Sequence, residues 1–335
     1  MNSPSMKNLK VFAFALGFVL SSCSKEDDVI MAEKSLSSSP SVNAMGSWHE
    51  KANLGRPVFI AFSNNKKAFA AVGFDRGGAP MELWEYDPII NSWNPRACFP
   101  GVARIGVLGF SIGEKVYMGI GSALVNNTGK ALKDFWEFDP ETNKWSRKAD
   151  YPSSALPREV EFIIGNKAYI VTQYEYPDGS NHLWEYDPNA DKWTRKADFP
   201  GLPRRDPAAF SIGTKGYLGT GIAFGEKRDF WEYDQLTNKW TEKAEFGGSE
   251  RHAAVGFSIG DFGYIGTGVS NVQDDKKDLW EFNPKKNKWT RKADLEGSKR
   301  FYAIGLSIGN KGYIGFGTLS GPVTRLIDFW EFDPN

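Results

Sequence analysis

Residues 135–145 read FWEFDPETNKW, and variants of this stretch recur along the chain. The Trp-Glu-aromatic element returns at Trp84, Trp136, Trp184, Trp231, Trp280 and Trp330. In the first five copies a second tryptophan follows nine residues later, as Trp145 follows Trp136. Successive copies are 52, 48, 47, 49 and 50 residues apart. A period near fifty indicates a repeated unit longer than those of most helical solenoids.

Each repeat contains four segments with strand signals. In the second repeat, alternating hydrophobicity and turn residues predict strands a, b, c and d at residues 104–111, 116–121, 134–139 and 145–149. Strand a turns into strand b at Gly113-Glu114-Lys115, and strand c turns into strand d at residues 140–143. Four such antiparallel strands make one blade of a β-propeller.

The two ends of the repeat region complete each other. The sixth repeat stops at Asn335, before its second tryptophan, and the missing strand d pattern stands at residues 46–52 (GSWHEKA). Pairing of this strand with the last repeat would close the ring, and closure removes two unpaired sheet edges. The sequence therefore predicts an all-β, six-bladed propeller over residues 46–335, which we expect to be monomeric.

The repeat resembles that of the kelch family. The matching features are the strand c aromatics with their Asp-Pro turns, as in Tyr86-Asp87-Pro88 and Phe138-Asp139-Pro140, and the strand d tryptophans. One feature departs from the family pattern: strand b ends in Gly-x-Gly, as in Gly219-Thr220-Gly221, where the family has a Gly-Gly doublet. The repeated aromatics are interpreted as the core between blades, because alternate strand residues face neighbouring sheets.

The N-terminus is predicted to be a targeting segment. Lys7 and Lys10 precede an apolar run at residues 11–20, too short for a membrane span but suited to a signal peptide. The following Leu20-Ser21-Ser22-Cys23 resembles the lipobox of bacterial lipoproteins, which implies a signal peptide at residues 1–22 and lipidation of Cys23. An ordinary secretory signal is the alternative. Residues 23–45 are polar, rich in serine and without periodicity, and are expected to form a flexible tether.

The acidic stretch at residues 25–28 resembles signals that send lipoproteins to the outer face of the outer membrane. We therefore expect a lipid-anchored protein facing the cell exterior, with the periplasmic face as the alternative. The formal net charge is zero and the basic residues are scattered, which argues against a nucleic-acid partner. Three histidines without metal-ligand spacing predict no metal and no cofactor.

One face of the disc is predicted to be functional. The a–b and c–d turns are short and nearly uniform, whereas the b–c and d–a loops on the other face differ in every repeat. Five arginines on that second face lie nine residues before the head of an a–b turn: Arg56, Arg104, Arg204, Arg251 and Arg300. In the third repeat, Arg158 lies seven residues before Gly165.

These six arginines are predicted to surround the channel mouth and to bind a carboxylate, sulfate or phosphate. Such arginines are widespread in the kelch family, and the resemblance implies acidic peptide ligands in some members. The alternative is that they are structural forks that tie adjacent d–a loops together.

The third repeat also carries acidic residues that its siblings lack. Glu161 stands where the other repeats have small residues such as Gly109 and Gly305, and Glu159 precedes it by one strand period. Balancing the arginine charge is one interpretation, and acid–base catalysis is the other.

Three functions follow from these features. The leading hypothesis is a ligand-binding module, rather than an enzyme, for an anionic glycan or an acidic protein segment at the arginine-lined mouth. The second is a sugar mutarotase or epimerase, by resemblance to kelch-propeller enzymes that interconvert sialic acid anomers, with Arg158, Glu159 and Glu161 as its catalytic groups. The third is a structural scaffold or adhesin.

Overall fold

The computed structural model describes residues 46–73, 81–125, 128–153, 160–172, 181–271, 274–321 and 324–335. These ranges contain strands and turns, and they hold no helix that could cross a membrane. The predicted leader, the tether and Cys23 lie outside them, as do Arg158 and Glu159.

Six four-stranded antiparallel sheets form the blades. In the order a, b, c, d, blade 1 comprises Ile60–Ser63, Ala68–Val72, Glu82–Asp87 and Ser92–Arg96. Blade 2 comprises Leu108–Ile112, Lys115–Gly119, Phe135–Asp139 and Lys144–Lys148. Blade 3 comprises Val160–Ile164, Lys167–Val171, Leu183–Asp187 and Lys192–Arg195.

The second half of the ring repeats this plan. Blade 4 comprises Ala208–Ile212, Lys215–Gly219, Phe230–Asp234 and Lys239–Lys243. Blade 5 comprises Val255–Ile259, Phe262–Gly266, Leu279–Asn283 and Lys288–Arg291. Blade 6 comprises Ile304–Ile308, Lys311–Gly315 and Phe329–Asp333, with Ser47–Lys51 as its strand d.

The ring is closed by the N-terminal strand, as the sequence predicts. Ser47–Lys51 pairs antiparallel with Phe329–Asp333, and Trp48 lies opposite Phe332. The Trp48 side chain is buried, and its indole Nε1 donates to the Ala293 carbonyl oxygen at 3.1 Å. The innermost strands a contact one another around the whole ring, blade 6 against blade 1 included. The prediction of a closed six-bladed propeller is confirmed.

The core consists of six apolar clusters, one between each pair of neighbouring blades. Aromatic rings dominate them: Tyr186 of blade 3 meets Phe135 of blade 2 edge to face at 5.1 Å and lies 4.7 Å from Trp193. Tyr86 of blade 1 makes the same kind of contact with Phe329 of blade 6, at 5.2 Å. The interpretation of the repeated aromatics as interblade core is confirmed.

The b–c and d–a loops pair with each other above the blades. Short hairpins occupy the b–c loops of blades 2, 5 and 6, at Ser122–Val125 with Thr128–Ala131, Val269–Ser270 with Asp274–Asp275, and Thr318–Leu319 with Thr324–Arg325. Single bridges join the d–a loops to them, as between His252 and Val269. Strand a of blade 2 consequently begins at Leu108 and not at the predicted residue 104, because Arg104 belongs to this loop layer.

Candidate functional site

Four of the predicted arginines form identical buried pairs with aspartates. Each guanidinium donates two hydrogen bonds of 2.5–2.9 Å, from Nη1 and Nη2, to the two oxygens of one carboxylate. The pairs are Arg104–Asp134, Arg204–Asp229, Arg251–Asp278 and Arg300–Asp328. The arginine Nε donates in addition to the carbonyl oxygen two residues earlier, for example Arg251 to Ser249 at 3.0 Å. We call this arrangement the arginine fork.

The arginine fork explains why strand b ends in Gly-x-Gly and not in the Gly-Gly doublet of the kelch pattern. The middle residue of each Gly-x-Gly has a left-handed backbone, with φ of 57° at Ile120 and 60° at Thr220, and its carbonyl oxygen accepts a hydrogen bond from the arginine Nη1 at 3.0 and 3.1 Å. A Cβ at the following Gly121 would lie 2.7 Å from the Ile105 carbonyl oxygen. Only glycine therefore fits at that position.

The fork arginines are enclosed. Their side chains are 0–3% exposed. Burial alone would raise the pKa of the Asp278 carboxyl, but the hydrogen bonds and charge of Arg251 outweigh burial and hold this pKa below its usual range. The same balance lowers the pKa of Asp134 and Asp229. The predicted equivalence of the four arginines is correct, but their predicted place around the open mouth is wrong, because each one turns into its own blade.

The geometry of the fork agrees with the structural alternative, with one difference: each fork ties a d–a loop to the b–c loop of the same blade rather than to a neighbouring d–a loop. Arg56 in blade 1 is a looser version, since it pairs with Glu82 at 2.9 Å and its side chain stays 34% exposed. Ligand binding by these arginines stays a prediction.

Blade 3 lacks the aspartate of the fork. At the equivalent position stands His182, whose backbone pairs with Thr172 in both directions. Its ring contacts Arg195 and lies 3.5 Å from the Asp198 carboxylate. The indole Nε1 of Trp184, which elsewhere donates to the fork carboxylate, is buried and has no hydrogen-bond partner. The predicted site residues Arg158 and Glu159 of this blade lie outside the described residues.

Glu161 lies on strand a of blade 3, where the innermost strands of blades 2 and 3 face each other beside the channel. The other blades have only glycine or alanine here, and the glycines are closely packed: a Cβ added to Gly109 would lie 2.5 Å from the Phe62 ring, and one added to Gly256 would lie 2.5 Å from the Ala209 carbonyl oxygen.

The environment of Glu161 favours its neutral form. The side chain is half-buried, no described cation pairs with it, and burial raises the pKa of its carboxyl to about 7. A carboxyl group with this pKa can both donate and accept a proton near neutral pH, which is the property that acid–base catalysis requires.

On the loop face, equivalent d–a residues of blades 4, 5 and 6 contact one another. The Ala253 N–H donates to the Asp206 carbonyl oxygen at 2.9 Å, and the Tyr302 N–H donates to the Ala253 carbonyl oxygen at 3.1 Å. Such a chain is possible only near the ring axis, so these residues line the channel mouth. We call Asp206, Ala253 and Tyr302 the mouth triplet.

Sequence reasoning missed the mouth triplet. Its members lie seven residues before the glycine of an a–b turn, the offset at which Arg158 stands in blade 3. Comparing that offset between repeats, instead of following the arginines, would have found them.

The fold and its ring of blades define the chain as a six-bladed β-propeller. No protein-family model matches it. The solved structure of YjhT superposes with a TM-score of 0.68 at 16% identity, over 83% of this chain and 96% of that chain. An N-acetylneuraminate epimerase from Yersinia enterocolitica is 31% identical over 81 residues, which are 23% of this chain and 21% of that protein.

Proposed function

We propose that the propeller catalyses anomer exchange of an acidic sugar at its central channel, with Glu161 as a proton-transferring group. The observation that carries the proposal is the position of Glu161, half-buried on an innermost strand where the five other blades have glycine or alanine, together with its pKa raised to about 7. The short match to N-acetylneuraminate epimerase supports an N-acetylneuraminate-like substrate.

Anomer exchange requires two proton transfers. The anomeric hydroxyl loses a proton while the ring oxygen gains one, the bond between the anomeric carbon and the ring oxygen breaks, and the open-chain carbonyl recloses on its other face. Glu161 as carboxylate accepts the first proton, or as carboxylic acid donates the second. Glu159 and Arg158, which precede it in sequence, stay the predicted partners for the second proton and for the sugar carboxylate.

The test is anomer exchange measured by NMR with N-acetylneuraminate. We expect the Glu161→Gln variant to lose about 100-fold in rate, the usual scale for removal of a general acid–base group. Glu114→Gln is the matched control, because Glu114 lies in an a–b turn on the opposite face and its side chain is 57% exposed. Equal rates for wild type and Glu161→Gln would reject the proposal.

A binding module without catalysis is the second candidate. The additional hairpins above blades 2, 5 and 6 favour it, because they give the loop face a different shape in each blade. Its ligand would be an anionic glycan or an acidic protein segment. Glycan binding by a wild type that exchanges no anomers would select this function.

We also propose that the propeller is exported and anchored through lipid on Cys23 at the outer membrane, facing the exterior. The residues that support this are the leader and the lipobox-like Leu20-Ser21-Ser22-Cys23. Palmitate labelling of wild type and Cys23→Ala cells tests the anchor, and equal labelling would exclude it.

A further inference from the structure

The mouth triplet has an unusual backbone. Asp206, Ala253 and Tyr302 all have left-handed φ angles, of 54°, 52° and 48°. For residues with a side chain this region costs about 1 kcal/mol or more. In blade 2 the equivalent residue is Gly106, with φ of 60°, so glycine satisfies the position without that cost.

Tyr302 also exposes an aromatic ring to solvent, because the residue is 48% exposed at the channel opening. Its hydroxyl donates to the Asp206 carboxylate at 2.9 Å, so the ring is held by an acid two blades away. An exposed hydrogen bond of this kind contributes only about 1 kcal/mol to stability. The half-exposed ring is thus open to a ligand, at a position where blades 2 and 5 have glycine and alanine.

We propose that Tyr302 is a stacking platform for a pyranose ring at the channel mouth and that Asp206 accepts a hydrogen bond from a sugar hydroxyl. An aromatic face carries partial negative charge and attracts the partly positive C–H groups of one sugar face. The hydrogen bond to Asp206 fixes the orientation of the ring before ligand binds, which lowers the entropic cost of binding. This inference rests on the proposed function and adds the residues that hold its substrate.

Glu161 lies deeper in the channel than the mouth positions, because in sequence it stands three residues further toward the a–b turn than the mouth position of its own repeat. A sugar held at the mouth would therefore meet Glu161 on its channel side. Arg205, exposed and adjacent to Asp206 in the same loop, supplies a cation at this rim for the carboxylate of an acidic sugar.

The experiment compares wild type with Tyr302→Ala and Tyr302→Phe, using saturation-transfer NMR with N-acetylneuraminate and the exchange assay. Alanine fits the backbone, since Ala253 occupies the equivalent position. We expect Tyr302→Ala to weaken binding and raise KM about tenfold with kcat within a factor of about two, because the lost contact is made in both ground and transition states. Tyr302→Phe keeps the ring and should bind within about threefold of wild type.

Leu236→Ala is the matched control, because Leu236 is 80% exposed on the opposite face. Unchanged binding and KM in a folded Tyr302→Ala variant, with an active wild type, would overturn this inference alone. A wild type that neither binds nor exchanges the sugar would overturn the proposed function together with it. Loss of binding in Tyr302→Ala, with no exchange by wild type, would support the platform and reject catalysis.

Discussion

At the scale of single residues, the indole N–H of the strand c tryptophan separates blade 3 from the other five. In those five blades Nε1 donates to the acid two residues earlier, at 2.6–2.9 Å: Glu82, Asp134, Asp229, Asp278 and Asp328. In blade 3 the acid is replaced by His182, and the Trp184 N–H is buried without a hydrogen-bond partner. Blade 3 has thus lost a structural interaction in the same repeat that gained Glu161.

This contrast predicts that a Trp→Phe substitution lowers the free energy of unfolding by different amounts in blades 5 and 3. Trp280→Phe removes the donor to Asp278, whereas Trp184→Phe removes an N–H that has no partner, and the change of side chain is the same at both sites. We expect Trp280→Phe to cost about 1 kcal/mol more in the free energy of unfolding, measured by urea denaturation. An equal or larger loss for Trp184→Phe would contradict this account of blade 3.

At the scale of the strand, stability of the ring depends on one non-covalent closure. Ser47–Lys51 covers the edge of Phe329–Asp333, Trp48 fills the space beside Phe332, and Lys51 lies 3.4 Å from the Glu331 carboxylate. Without this strand, blade 6 would present the unpaired edge of Phe329–Asp333, a template for pairing with other chains.

Deletion of residues 44–53 is therefore expected to yield an aggregating protein, measured by size-exclusion chromatography with light scattering. A chain that begins at residue 44 removes the predicted tether but keeps the strand, and it should stay monomeric. A soluble monomer lacking residues 44–53 would show that the closure is dispensable.

At the scale of the whole molecule, the pKa values of three fork carboxylates and of Glu161 are shifted in opposite directions. The fork carboxylates Asp134, Asp229 and Asp278 have lowered pKa values, so the stability they contribute is present at neutral pH and is lost as the pH falls through those values. Glu161 is the opposite case, with its pKa raised by burial.

The raised pKa of Glu161 makes stability fall with increasing pH. The folded state binds one more proton than the unfolded state between the ordinary pKa of 4.5 and the folded value of about 7, so this contribution is complete below 4.5 and is lost as the pH rises through about 7. Glu161→Gln does not titrate, and we expect it to become more stable than wild type by up to a few kcal/mol between pH 5 and pH 8. Urea denaturation across this range measures the difference. Parallel curves for the two proteins, like those expected for Glu114→Gln, would exclude an unusual pKa.

The sequence by itself determined the blade count, the four strands of each blade and the closure by residues 46–52. These depend on side-chain alternation and turn residues, which are local properties that repeat six times. It also singled out Glu161, because a glutamate among glycines stands out in a repeat. Only the tertiary structure decided which way the arginines turn, since their partners lie 25–30 residues away across two loops. The same reason hid the contact between Tyr302 and Asp206: the repeat offset marks their positions, but only the folded ring brings residues of blades 4 and 6 together.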